Sequence, residues 1–335
     1  MAETVLVTGG SGFVAGWCIV ELLKRGYLVR TTIRDLSREA GLRSAIAVVA
    51  GNTDNLSFVV ADLLADAGWE IAMQGCDYVL HVASPLGGGE PGDKHAFLEP
   101  ARAGTLRVLR AAIAADVKRV VMTSAAAAAR PPLSTDRISD ETIWANPDDP
   151  QFDAYRVSKI LAERAAWDFM EGRGKTSRLT TVLPGAVFGP VLFKETPGSA
   201  GIIQDLLQGR PRAMPRLGFW VVDVRDLAEL HIKAMISPGA AGERFIAAGE
   251  FMWMEDIARA LRVGLGSSGL KTPTRRLPTI LVRLLLPFLP KLKSLAPLIG
   301  RKFRLTSEKA QRLLGFTPRP GAVTVVDCAE SLLKA

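Results

Sequence analysis

The stretch Thr8-Gly9-Gly10-Ser11-Gly12-Phe13-Val14-Ala15-Gly16 decides how the chain is read. Ahead of it, Thr4 to Val7 is a short apolar run rich in β-branched residues, the composition of a strand. Behind it, Trp17, Val20, Leu22 and Leu23 recur at spacings that give a helix one apolar face. The nine residues between are expected to form a tight glycine turn from strand into helix. Gly9 and Gly12 are expected to take positive φ and to let the backbone lie close against a ligand. The helix start then aims unpaired N–H groups and the positive end of its dipole at that ligand, which suits a pyrophosphate. The spacing is Gly-x-x-Gly-x-x-Ala rather than Gly-x-Gly-x-x-Gly, and alone it also fits a plain strand–turn–helix junction. Its place at the head of an alternating chain favours the ligand.

Working outward, strand candidates fall at residues 5–7, 29–33, 56–60, 78–82, 120–123 and 180–183, with helical stretches at 17–25, 38–50, 100–115 and 153–171. This alternation predicts an α/β architecture, a Rossmann-type doubly wound parallel sheet with right-handed crossovers. After Pro184 the composition shifts, and Pro190, Pro197, Pro211 and Pro215 punctuate a loop-rich region. Residues 220–227 read as a return to the sheet, followed by a helix to Ile236. From about Phe251, helices with proline breaks complete a smaller lobe. The expected division is a dinucleotide-binding domain of residues 1–189 with 218–245, and a substrate-binding lobe of 190–217 with 246–335. The alanine run 125–129 reads as tight packing after a strand.

The 335 residues, 48% of them hydrophobic, supply ample core and exclude a disordered chain. Formal charge is +8, from 42 basic and 34 acidic residues. The basic residues are spread along the chain without an aromatic-interleaved stripe, which argues against nucleic acid and fits attraction of a phosphorylated cofactor. No signal peptide is visible, and the apolar stretch 277–289 is too short and too broken by Pro278, Arg283 and Pro287 to span a bilayer. Cys18, Cys76 and Cys328 are scattered thiols suited to a reducing cytoplasm; neither they nor His81, His95 and His231 have metal-site spacing.

The end of the second strand, Thr31-Thr32-Ile33-Arg34-Asp35, is where such folds meet the adenosine ribose. An acidic tip favours a free 2′-hydroxyl, whereas Arg34, with Arg38 and Arg43 following, suits a 2′-phosphate and points to NADP(H). The alternative is a solvated arginine beside Asp35. Asp62, after the third strand, is placed to bond an adenine amino group or to cap a turn. Tyr155-Arg156-Val157-Ser158-Lys159 puts a phenol and an ammonium four residues apart on one helix face. A neighbouring ammonium is expected to stabilise the phenolate and to lower its pKa towards the range where proton transfer is effective.

Joined, these motifs resemble an extended short-chain dehydrogenase/reductase of the NAD-dependent epimerase/dehydratase superfamily, nearest the dihydroflavonol reductase, cinnamoyl-CoA reductase and bacterial aldehyde reductase group. Residues 8–16 resemble its cofactor turn, 32–35 its NADP-selecting tip, and His81-Val82-Ala83-Ser84-Pro85 the strand and loop beside the cofactor. Tyr155 to Lys159, continued by Leu161-Ala162-Glu163, resembles its catalytic helix, and 183–190 its nicotinamide-side segment. Residues 221–228 and Leu314-Gly315-Phe316 match later landmarks. The resemblance implies cofactor contacts from Thr8, Gly9, Gly12, Phe13, Val14, Arg34, Asp62, Leu63, Ala83, Ser84, Tyr155, Lys159, Pro184 and Val187. It implies reduction of a small-molecule aldehyde or ketone to an alcohol, with Tyr155 as proton donor. Oligomeric state stays open.

One departure matters. Where the family carries two adjacent serines, this chain has Ser124-Ala125, and Ala125 stands at the position of the serine that bonds the substrate carbonyl. Ser124 is a provisional substitute, although neighbouring strand residues face opposite ways; a local bend could instead bring Thr123 round, or a water could bridge. Loss of one preorganised oxyanion donor costs about 10²–10³ in rate. A sugar-nucleotide epimerase/dehydratase, or a weakly active NADP-binding regulatory protein, are the competing readings. His81 is expected to be a structural histidine satisfied by backbone, and Asp223 and Asp226 to be loop or capping groups. Trp253 and Met254 fit a pocket wall or core, and the glycine-rich loop 85–92 fits a flap or an exposed turn.

Overall fold

The computed structural model describes residues 2–84, 95–132, 134–193, 198–285 and 296–334. The glycine-rich loop 85–92 lies outside them. The strands are β1 (Thr4–Val7), β2 (Leu28–Ile33), β3 (Leu56–Val60), β4 (Tyr78–His81), β5 (Arg119–Thr123), β6 (Leu179–Pro184), β7 (Ala186–Phe188), β8 (Ala213–Met214), β9 (Gly218–Asp223), β10 (Arg244–Ala247), β11 (Phe251–Trp253) and β12 (Arg275–Arg276). Seven of them form a parallel sheet in the order β3-β2-β1-β4-β5-β6-β10. The order reverses between β1 and β4, the switch point outside which such sheets bind ligands. In register, Val5 stands opposite Val29 on one side and Tyr78 on the other.

Strand alternation feeds two cores. Val5 and Val7 face α1 (Phe13–Lys24), α2 (Glu39–Ala50) and the helix Val224–Ile236, through residues such as Ile19, Ile46 and Leu230. Leu6 faces the other way, with Trp69, Leu109 and Ala166 from α3 (Trp69–Met73), α4 (His95–Ala114) and α5 (Ala154–Glu171). Helices on both faces explain why the buried strands read as continuous apolar runs.

The expected α/β doubly wound sheet is present, with one correction. Residues 218–223 do not return to the main sheet; β9 pairs with β7 and β11 in a separate three-stranded sheet. The seventh main strand is β10, whose leading Arg244 disguised it as surface. A third core gathers Phe188, Ile203, Leu206, Leu217, Ile257, Leu261 and Val325. Ala310 and Leu314 of the helix Glu308–Leu314, with Phe316 beyond it, join the first core against the sheet.

Candidate functional site

The glycine turn leaves β1 at the switch point. Gly9 has φ +74°, and a Cβ there would sit 3.0 Å from that of Ala83. Gly10 packs tighter: a Cβ would come within 2.3 Å of the Thr31 hydroxyl oxygen. Gly12 departs from the expectation of positive φ. It is extended (φ −87°, ψ 156°), and its N–H donates to Gly9 O at 2.8 Å. Among the described residues no side chain caps α1, so its first-turn N–H groups at Phe13 and Val14 have no side-chain acceptor there. Thr8 is fully buried behind this turn. Its hydroxyl accepts from the N–H groups of Val82 (3.1 Å) and Ala83 (3.0 Å), and donates to His81 Nδ1 at 3.0 Å. That assignment leaves the His81 proton on Nε2. His81 is thus structural, but its partner is a side chain rather than backbone. Burial holds its pKa down to about 3, with Lys159 adding to the shift.

A cavity of about 870 Å³ runs along the carboxyl ends of the strands. Its walls include Gly9, Gly12, Phe13 and Val14 of the turn, then Arg34, Asp62 and Leu63 at the tips of β2 and β3. Ala83 and Ser84 after β4, Tyr155 and Lys159 on α5, and Pro184 and Val187 near β6 and β7 complete that side. Asp35 does not hold Arg34: its carboxylate accepts from the Ser37 N–H (2.9 Å) and hydroxyl (2.6 Å), bonds that lower its pKa. Arg43 is drawn off, donating to Glu39 and to Thr53 O and lying over the Phe58 ring. Arg38 lines the cavity. One oxygen of Asp62 caps its own turn by accepting from Leu64 N–H at 3.0 Å.

Asp153 caps α5 by accepting from Arg156 N–H at 2.8 Å, which fixes the helix start that presents Tyr155 and, one turn on, Lys159. Tyr155 is 43% exposed on the cavity. Desolvation by the walls nevertheless raises its pKa, with Arg156 opposing. This corrects the expectation of a phenol pulled down by Lys159. The reason is geometric: Lys159 is 6% exposed and donates from Nζ to Thr123 O at 3.2 Å. Burial lowers the ammonium to about 8, with Glu163 opposing.

The provisional role of Ser124 meets a competing bond. Ser124 Oγ donates its only proton to Glu163 Oε2 at 2.6 Å, so in this arrangement it offers none to a substrate carbonyl. Thr123 is committed as well, because its hydroxyl donates to His231 Nε2 at 2.7 Å while His231 Nδ1 donates to Leu227 O. Ala125, in the cavity wall, supplies no hydroxyl. The alanine run is not packing alone: Ala128 and Ala129 are buried, while residues 125–127 line the cavity.

Asp223 caps the helix Val224–Ile236 and pairs with Arg225, and Asp226 accepts from Arg319; both are structural. Trp253 packs edge-on against Phe251, and Met254 is buried in the third core; neither lines the cavity. The far wall comes from Ile202, Phe219, Trp220, Leu298, Phe303 and Leu305, and Arg130 closes it. These escaped sequence reasoning because they are distant in the chain and carry no spacing signal. Among the described residues no cluster of three potential metal ligands occurs, and no helix is long and apolar enough to cross a membrane.

Residues 5–248 match the model of the NAD dependent epimerase/dehydratase family. The chain is 36% identical over 283 residues to ketoreductase azaE of Aspergillus niger, covering 78% of this chain and 82% of that one. It is 35% identical over 251 residues to cinnamoyl-CoA reductase CAD2 of Medicago truncatula, covering 72% and 75%. Yeast methylglyoxal/isovaleraldehyde reductase Gre2, solved in complex with NADPH, superposes with a TM-score of 0.80 at 26% identity, covering 99% of this chain and 98% of that one. With the glycine turn and nearly the whole seven-stranded sheet inside the matched residues, this chain belongs to the NAD dependent epimerase/dehydratase family.

Proposed function

We propose that the protein reduces an aldehyde or ketone to an alcohol with NADPH. The observation that carries this reading is that Tyr155 and Lys159, one helical turn apart, open on the same cavity as the uncapped helix start and Arg34. The cradle fits a dinucleotide: glycines 9 and 10 stand where a Cβ would crowd Ala83 and Thr31, and the α1 N-terminus offers N–H groups to a pyrophosphate. Arg34, left unclaimed by Asp35, is placed for a 2′-phosphate, and the free oxygen of Asp62 for an adenine amino group. The named ketoreductase and the NADPH-bound reductase support the same chemistry.

NADPH, when bound, supplies the hydride. Tyr155 donates its Oη proton to the developing alkoxide, and its raised pKa keeps that proton in place at neutral pH. Lys159, held by its bond to the Thr123 carbonyl, lines the same cavity as a cofactor contact. The second reading, an NADP-binding regulatory protein with little chemistry, is favoured by the commitment of Ser124 to Glu163 and by Ala125.

The test is loss of NADPH absorbance with a panel of aromatic and aliphatic aldehydes and diketones. Tyr155→Phe is expected to lower kcat by about 10²–10⁴, the usual worth of a positioned proton donor. Tight NADPH binding with no consumption across the panel would replace the reductase reading with the regulatory one.

A further inference from the structure

Arg130 is 5% exposed, yet it has no polar partner among the described residues. Its guanidinium lies over the Phe152 ring, 4.3 Å from the centroid. Asp149 and Asp153 act on it only at a distance, and Asp153 is paired with Arg156. Burial and the like charge of Arg156 lower its pKa to about 10. Arg244 shows how this fold treats an arginine that serves the core. It is 6% exposed, pairs with Glu163, and donates to the carbonyls of Glu141, Ile143 and Ala128. A buried charge without such partners is costly, and an anion placed against it recovers that cost.

Arg130 faces the large cavity, whose far wall is apolar at Phe219, Trp220, Leu298 and Phe303. It also lines an adjoining hollow of about 220 Å³, with Arg137, Lys302 and Arg304 against Asp136. The surplus of basic side chains there raises the local concentration of anions at the cavity. Phe152 covers one face of the guanidinium, and the in-plane N–H fork matches the two oxygens of a carboxylate. We propose that Arg130 is a specificity residue that receives a carboxylate on the substrate, so that oxo acids with an apolar body are the preferred substrates. The proposal rests on the reductase reading above and names its substrate class.

The experiment compares kcat/KM for a series of oxo acids of increasing chain length with that for their methyl esters, using NADPH. At the matching length the acid is expected to be preferred over the ester by about 10- to 100-fold, the worth of a charge-assisted hydrogen bond. Arg130→Gln is expected to erase that ratio, and Arg130→Lys, which keeps charge without the fork, to retain part of it. Equal acid and ester values throughout the series in the native protein overturn the proposal. An unchanged ratio in Arg130→Gln that still binds NADPH overturns it too. If Arg130→Gln does not fold, the native ratio and Arg130→Lys decide.

If no carbonyl compound is consumed, the reductase reading has failed, and 3-phenylpropionate with its methyl ester tests the carboxylate site alone. Quenching of tryptophan fluorescence by the acid, weaker for the ester and lost in Arg130→Gln, supports the site. Equal quenching by both, or none, removes it.

Discussion

At the residue scale, Lys159 is a buried charge that costs stability. Its ammonium titrates at about 8 in the fold against 10.5 in the open chain, so the charged form costs folding about 3 kcal/mol. Between those values the unfolded chain holds more protons, and stability rises with pH across that window. Lys159→Met is therefore expected to be more stable than the native protein near neutral pH, by up to about 3 kcal/mol, with the advantage shrinking as pH approaches 10.5. Urea unfolding at neutral and alkaline pH checks this; a variant no more stable at neutral pH contradicts the burial argument. Ala125 supplies the complementary case. With Ser124 and Thr123 both committed, Ala125→Ser introduces a hydroxyl in the cavity wall and is expected to raise kcat on an activated aldehyde by up to about 10²-fold. No increase in a folded variant means that another group already donates to the carbonyl.

At the scale of the element, the β1–turn–α1 unit works through close approach more than through unusual torsions. Only Gly9 of its first three glycines needs positive φ. Gly10 is required because β2 lies against it, where the Thr31 hydroxyl also donates to Val7 O at 2.8 Å. Gly10→Ala is expected to destabilise by about 1–3 kcal/mol through overpacking and to weaken NADPH binding. In a Thr31→Ala background the same change is expected to cost less, because the obstructing side chain is gone. Thermal unfolding and NADPH titration of the four proteins measure the coupling; additive costs would dissociate Gly10 from Thr31.

At the scale of the whole molecule, Glu163 ties the sheet to the site. Fully buried on α5, it accepts from Ser124 beyond β5, Thr181 on β6 and Arg244 on β10. Arg244 also packs under Trp144, 3.7 Å from the ring centroid. Removing the carboxylate leaves a buried guanidinium uncompensated, so Glu163→Leu is expected to cost about 3–5 kcal/mol. Glu163→Leu with Arg244→Leu is expected to cost less than Glu163→Leu alone, since no charge is then stranded. Chemical denaturation of the single and double variants decides it, and a double loss equal to the sum of the singles would falsify the coupling.

The six strands of local apolar character, their order along the chain and the turn into α1 were legible because strand period, glycine chemistry and helix periodicity are properties of neighbouring residues. The placement of Tyr155 and Lys159 on one helix face was legible for the same reason, being one helical turn. Strand β10 was hidden because Arg244 reads as surface until Glu163, 81 residues away in sequence, is placed beside it. The competing bond of Ser124, the upward shift at Tyr155 and an Arg130 that meets the Phe152 ring but no polar group among the described residues were likewise invisible. Each depends on which distant groups a side chain meets and how much water they displace. Local sequence determined the fold class, the motifs and the glycine turn; tertiary structure alone decided what each buried charge and hydroxyl is bonded to, because desolvation and long-range pairing exist only once the chain has closed on itself.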